Sequence, residues 1–264
     1  MKKFQNKIVM ITGASSGIGA ALVREFAQQG AKVAMVARRA ERLKTLADEM
    51  VKAGLQAFPF VGDVTKEASL RAAVADIHQA LGNIDIVVAN AGFGVVGPFT
   101  QLTVEDFQRQ FDTNVNGVLR TIYATLEDLK HTQGQLVLMG SVASYVSAPG
   151  ASPYSMSKFA VRALAEVLYA ELAPLGIKVT LISPGFVKTE IRNVDNYGQY
   201  QTASVDPIPT WVRMSAPCAA KQIVKAIAKQ KREKIITVHG KIAVMLSYLL
   251  PGLVHYVMRK RQQH

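Results

Sequence analysis

The chain predicts a doubly wound α/β fold with a seven-stranded parallel sheet, on three observations. Its 264 residues are 49% apolar and only 19% charged. Short β-branched apolar runs alternate with helical patterns along most of its length, and a glycine-rich turn joins the first run to the first helix. This composition supplies a large core and excludes a disordered, collagen-like or coiled-coil chain. One domain is expected over residues 1–240, followed by an apolar helical extension at 241–264.

Residues 7–12 (KIVMIT) have no polar face, the mark of a strand buried on both sides. Ile18, Ala21, Leu22 and Phe26 then recur at helical spacing until Gly30 ends the pattern. The alternation continues with a strand at 32–37, a helix at 40–53, a strand at 56–61, a helix at 66–81 and a strand at 84–89. A long helix is expected over 104–129, because Val104, Phe107, Phe111, Val115, Val118, Ile122 and Leu126 form one stripe. A strand at 135–139, a helix at 154–173, a strand at 178–182, a helix at 219–229 and a seventh strand at 235–238 complete the series. Residues 188–217 break the rhythm with Pro207, Pro209 and Pro217 among Tyr197, Tyr200 and Trp211, and read as a long loop that serves as a substrate lid.

The net charge of +12 would suit nucleic acid, an anionic membrane or a phosphorylated ligand. It is unevenly placed: residues 221–264 hold ten Lys and Arg against the single acid Glu233, a local +9, leaving +3 for the first 220. Neither an aromatic platform nor a recognition motif for nucleic acid accompanies it. Cys218 stands alone, so no intrachain disulfide is possible. The apolar run after Met1-Lys2-Lys3 is too short for a signal peptide, which predicts a retained amino terminus and a cytoplasmic protein. The five histidines, His78, His131, His239, His255 and His264, lack ligand spacing, and no metal is expected.

Chemistry concentrates at strand ends. Thr12-Gly13-Ala14-Ser15-Ser16-Gly17-Ile18-Gly19 follows the first strand and opens the first helix, where free N–H groups and the helix dipole favour a pyrophosphate. Its G-x-x-x-G-x-G spacing departs from the usual dinucleotide fingerprint. After the second strand an acid would bond a ribose 2′-hydroxyl, whereas this chain reads Ala37-Arg38-Arg39, which favours NADP(H) over NAD(H). Arg39 can equally be read as part of the solvated face of the next helix. Tyr154 and Lys158, four apart on one helix, share a face, so that the ammonium can lower the phenol pKa. Ser141 lies just past the fifth strand, where open α/β sheets gather their ligands.

In these pieces, together with Asp63-Val64, Asn90-Ala91-Gly92, Asn114 and Pro184-Gly185-Phe186-Val187-Lys188-Thr189, all in order, the chain resembles the short-chain dehydrogenase/reductase family over residues 5–240. The resemblance implies a Rossmann fold and a catalytic tetrad of Asn114, Ser141, Tyr154 and Lys158. It places Asp63 and Val64 near the adenine, Asn90, Ala91 and Gly92 along the cofactor floor, and Pro184, Gly185, Val187 and Thr189 at the nicotinamide and phosphates. Arg38 marks the NADP-preferring branch. The expected activity is interconversion of a ketone or aldehyde and an alcohol, with Tyr154 as general acid and base and Ser141 polarising the carbonyl. Phe93, Val95, Val146, Phe186, Tyr197, Tyr200 and Trp211 suggest a largely hydrophobic substrate pocket and an apolar or lipid-like substrate. The alternatives are a 3-oxoacyl-type reductase and a non-catalytic NADP-binding regulator. The family's common four-helix interface implies a homodimer or homotetramer through the long helix and the Tyr154 helix.

Residues 242–258 (IAVMLSYLLPGLVHYVM) carry no formal charge and end at Arg259-Lys260-Arg261. The stretch is short for a membrane span and broken by Pro251-Gly252. It reads either as two short helices packed on protein or as an interfacial segment touching a membrane surface.

Overall fold

The computed structural model describes residues 2–201 and 208–260; Pro207 of the expected lid and Arg261 of the basic end lie outside them. The main sheet contains β1 Ile8–Thr12, β2 Lys32–Ala37, β3 Ala57–Val61, β4 Ile86–Ala89, β5 Gln135–Met139, β6 Lys178–Ser183 and β9 Glu233–Ile235. All its pairs are parallel, in the order β3-β2-β1-β4-β5-β6-β9. Two further strands, β7 Val187–Lys188 and β8 Met214–Ser215, pair beside it. The helices are α1 Gly17–Gln28, α2 Ala40–Lys52, α3 Glu67–Leu81, α4 Val104–Phe111, α5 Gly117–Thr132, α6 Ser152–Glu171, α7 Ala216–Ala228, α8 Val238–Leu249 and α9 Pro251–Lys260.

Strand periodicity sorts the core into two layers. Val9 and Ile11 of β1, Val33 and Met35 of β2 and Val137 of β5 face α1, α2 and α7, while Met10, Ala34, Val36, Leu136 and Leu138 face α3, α5 and α6. Because both faces of the central strands are covered, these read as unbroken apolar runs. The strand order reverses between β1 and β4, which opens a crevice beyond their carboxyl ends.

Three expectations are revised. The stripe over 104–129 is not one α-helix: a π turn at Asp112–Asn116 separates α4 from α5, so that Asn114 turns inward and is fully buried. The seventh strand lies at Glu233–Ile235 rather than 235–238, because the Thr237 hydroxyl accepts from the Gly240 N–H and starts α8. The expected lid is shorter at its carboxyl end, since Ser215 caps α7, whose first turn contains Pro217.

The carboxyl-terminal stretch forms two helices, α8 and α9, bent by 114° at their junction; no single described helix is long and apolar enough to cross a membrane.

Candidate active site

The crevice begins at the turn between β1 and α1. Ser16 is the N-cap of α1 but makes no side-chain capping bond, and no acid lies in the first turn. The first N–H groups of the helix, which have no intrahelical partner, are therefore unclaimed and suit an anion. Gly19 is required by close approach, since a Cβ there would lie 2.2 Å from the Gly13 carbonyl oxygen. Opposite, the Thr12 hydroxyl accepts from the N–H groups of Asn90 (3.0 Å) and Ala91 (3.1 Å), and the Asn90 amide donates to the Thr12 carbonyl at 2.9 Å. This clamp fixes the start of the β4 loop against the glycine turn.

Gly13, Ser15, Ser16, Gly17, Ile18, Gly19, Arg38, Arg39, Asp63, Val64, Asn90, Ala91, Gly92 and Thr189 all line this one cleft. The Arg39 guanidinium crosses its edge and donates to Ser15 Oγ (3.0 Å) and Ser16 Oγ (2.8 Å). It thus belongs to the cleft wall, not only to the helix surface. Burial first, then the neighbouring Arg42, lowers its pKa. Arg42, absent from the sequence-based candidates, pairs with Glu190 at 2.6 Å, and Arg39 approaches the same carboxylate at 3.6 Å. Arg42 also lies 5.3 Å from the Tyr200 ring, so Tyr200 meets the arginine end of the cleft rather than the expected substrate wall.

The segment that follows β7 straps the cleft from one rim to the other. Glu190 and Tyr200 fasten it to the arginines. Across the gap, Asn196 exchanges two hydrogen bonds with the Val96 backbone, at 3.0 and 2.9 Å, and the Asn196 carbonyl accepts from Arg109 at 2.9 Å. Tyr197 lies under the Arg109 cation (4.7 Å) and is otherwise exposed, and Trp211 is 86% exposed. Neither lines the cleft; both reached the sequence-based set because aromatic residues in a loop do not reveal which way they point.

Beyond the β5 end the polar groups are buried and mutually fixed. Asn114 Oδ1 accepts from the Phe93 N–H at 3.1 Å, while its amide donates to the Phe93 carbonyl (3.0 Å) and to Ser157 Oγ (3.1 Å). Ser157 in turn donates to the Tyr154 carbonyl at 2.7 Å, which joins Asn114 to the helix of Tyr154 and Lys158. Lys158 Nζ donates to the Met139 carbonyl at 2.8 Å and sits 5.7 Å from the Tyr154 ring centroid. Burial of this ammonium lowers its pKa to about 8. Ser141 Oγ accepts from the Ala143 N–H at 3.1 Å, which leaves the hydroxyl proton for a ligand. Tyr145 makes an instructive contrast with Tyr154: its hydroxyl bonds Glu233, and burial and that carboxylate push its pKa upward, away from acid–base use near neutrality.

Other expected residues serve the walls. Val95 is fully buried, its N–H accepted by Gln110 Oε1 at 2.6 Å, and Val187 packs into the core beside α7. Gly185 is demanded by α8, since a Cβ there would meet Thr237 and His239 at 2.1 and 2.7 Å. The Phe186 N–H donates to His239 Nε2 at 3.1 Å and the two rings stack, so this histidine is a satisfied acceptor. Val142 N–H donates to the Pro184 carbonyl at 2.9 Å, placing both beside Ser141, and Phe93 joins the cleft wall. Val146 is half-buried one turn after Ser141. Gln110 was the most legible of the missed residues: it stands one helical turn before Asn114 and likewise bonds the Phe93 carbonyl, at 2.9 Å.

The model of the short chain dehydrogenase family matches residues 7–199, and the chain belongs to that family. An uncharacterised oxidoreductase, YxnA, of Bacillus subtilis is 34% identical over all of this chain and 74% of its own length. A short chain dehydrogenase/reductase from Burkholderia phymatum in complex with NAD superposes with a TM-score of 0.84, at 25% identity, over 96% of each chain. An alcohol dehydrogenase from the archaeon Thermococcus sibiricus, complexed with 5-hydroxy-NADP, gives 0.75 at 28% identity, covering 88% of this chain and 96% of its own. The chain is thus an oxidoreductase acting on CH–OH groups, on a single Rossmann-type domain.

Proposed function

We propose that this short chain dehydrogenase is an NADPH-dependent carbonyl reductase, running also as an alcohol dehydrogenase, on an apolar or lipid-like ketone or hydroxy compound. The observation that carries the reading is the buried Lys158 ammonium beside the Tyr154 ring, which lies against Gly94, next to Phe93 at the end of a cleft whose other end is walled by arginine. The unclaimed N–H groups of α1 fit a pyrophosphate, and the Ala37-Arg38-Arg39 turn, with no acid, fits a 2′-phosphate. When bound, the dinucleotide supplies or accepts the hydride.

The chain's own residues do the rest. Asp63 and Val64 flank the adenine, Asn90 to Gly92 form the floor, and Thr189, over Gly17, meets the phosphates or the carboxamide. Ser141 donates its hydroxyl proton to the substrate carbonyl oxygen. Tyr154 gives its phenolic proton to the same oxygen as negative charge develops there, and recovers it in the reverse direction. Lys158 favours the phenolate by its charge and offers its remaining N–H donors to the cofactor ribose. Asn114, locked to Phe93 and Ser157, holds the π turn that backs this group and positions a water for proton return. Phe93, Val146 and Phe186 give the substrate side its apolar character. Exposed Tyr123 on α5 and Met156 and Phe159 on α6 offer a face for self-association into a dimer or tetramer.

Tyr154→Phe tests the mechanism: NADPH binding is retained within about twofold while turnover falls by about 10²–10⁴. Turnover at the wild-type rate on a ketone the native enzyme reduces removes Tyr154 from the chemistry. Direct titration of the native protein with NADPH and NADH checks the cofactor, and tighter NADH binding overturns that choice.

A further inference from the structure

The helices that end the described chain present an apolar stripe with no partner in the fold. On α8, Ile242, Met245 and Leu249 are exposed at helical spacing; on α9, Leu253, Tyr256 and Val257 are exposed, and that helix buries no residue. Both stripes follow the i, i+3, i+4, i+7 rows of a single helix face. On its other side α8 is anchored: Val244 and Gly240 are buried, and a Cβ on Gly240 would lie 2.5 Å from Val142. The α8 part of the stripe therefore belongs to an anchored helix, from which α9 extends.

Along the sequence, cations flank it and acids do not. No Asp or Glu occurs from Lys234 to Lys260; the nearest acid in the sequence, Glu233, is held by the Tyr145 hydroxyl at 2.5 Å, and Glu166, near Tyr248 of α8, is paired with Arg162 at 2.8 Å. Lys260 Nζ lies 5.2 Å from the Tyr256 ring, at the edge of the stripe, with its charge beside the apolar surface. Lys225, Lys231, Lys234 and Lys241 share one electrostatic neighbourhood: the Lys234 pKa is lowered by burial, then by Lys241, Lys231 and Lys225.

We propose that α8 and α9 form a docking surface for an anionic lipid bilayer, lying in its interface with the stripe among the acyl chains and the lysines and arginines at the phosphates. Such surfaces combine apolar area with cationic flanks, the pairing present here. A second copy of the chain is a poorer occupant. A two-fold contact sets the same patch against itself, and here that brings two uncompensated basic clusters together. The surface also adjoins the substrate end of the cleft, since His239, at the start of α8, stacks on Phe186 at 5.3 Å and Gly240 abuts Val142, next to Ser141. Docking would hold that opening at the lipid surface. The proposal does not depend on which dinucleotide the cleft takes.

The test is sedimentation of the full chain with vesicles of phosphatidylcholine alone or with one-third phosphatidylglycerol. The expected result is binding to the anionic vesicles, about tenfold weaker at 0.5 M salt than at 0.1 M, and little binding to neutral ones. Arg259→Gln with Lys260→Gln should lower partitioning about fivefold per charge, and Leu249→Asn with Leu253→Asn and Val257→Asn should abolish it. NADPH binding by each variant verifies its fold. Absence of binding to anionic vesicles overturns the proposal, as does binding that the triple substitution leaves unchanged. A concentration-dependent doubling of mass that the triple substitution removes, without vesicle binding, assigns the face to a second copy and overturns it too.

Discussion

The cations of the cleft and those that lead into the carboxyl-terminal helices carry the same charge in opposite settings. Arg39 has two serine hydroxyls and a carboxylate within reach, Arg42 a carboxylate and an aromatic ring, and Lys158 a buried carbonyl. Lys234, by contrast, is reached by the like charges of Lys241, Lys231 and Lys225. In the first region each charge is aimed, so its effect depends on direction and distance. In the second the charges act as a summed field, which a single substitution dents without erasing. The contrast teaches where a change of one residue should be felt.

The largest test of that contrast uses the most buried cation. Folding depresses the Lys158 pKa from its usual value near 10.5 to about 8, so the unfolded chain binds the extra proton between those two values. The cost of burying the charge is fully present below pH 8 and disappears as pH rises to 10.5, a gain on the order of 3 kcal/mol. Denaturant titrations of native protein and Lys158→Met across that range should show the native chain gaining stability relative to the variant. Parallel curves would mean that the ammonium is solvated and the region no different from the tail.

A smaller effect is expected at the cleft edge. Glu190 occupies Arg42 and reaches Arg39 where a 2′-phosphate would compete for both, so Glu190→Gln should tighten NADPH binding about three- to tenfold and leave NADH nearly unchanged. Arg39→Ala should weaken NADPH by about tenfold. Calorimetry with both nucleotides checks the pair, and equal responses to NADPH and NADH would show that neither residue reads the phosphate.

The smallest effect belongs to the tail: Leu253→Ser should change stability by no more than about 0.5 kcal/mol, because α9 buries no residue, and should leave reduction of a water-soluble ketone unaltered. A loss of several kcal/mol would show that the helix packs on protein after all.

The central strands of the sheet were legible because they are covered on both faces and had to be unbroken apolar runs. In the candidate site, the glycine turn and Ser141 were legible because residue type is restricted at strand ends, and Tyr154 and Lys158 because their four-residue spacing puts them on one face of α6. The π turn was not, since an extra residue in one helical turn leaves apolar residues on both flanks and the stripe still looks continuous. Nor were contacts made far apart in sequence. Arg42 and Glu190 are separated by 148 positions, and nothing local to either announces the other. Gly185 was assigned to the cofactor, whereas its need for a missing side chain arises from Thr237 and His239, on a helix whose start was itself misplaced by the longer seventh strand.

The strap across the cleft is fastened at its two ends by different kinds of bond. At the arginine rim it is an exposed ion pair, which dissolved salt screens; at the Val96 rim it is a neutral amide exchanging two hydrogen bonds with backbone, which salt leaves nearly untouched. Ionic strength therefore weakens the first fastening before the second, and Asn196, in the turn of the hairpin bridged by Val194 and Tyr200, keeps its hold on Val96 when the arginine rim has lost its own.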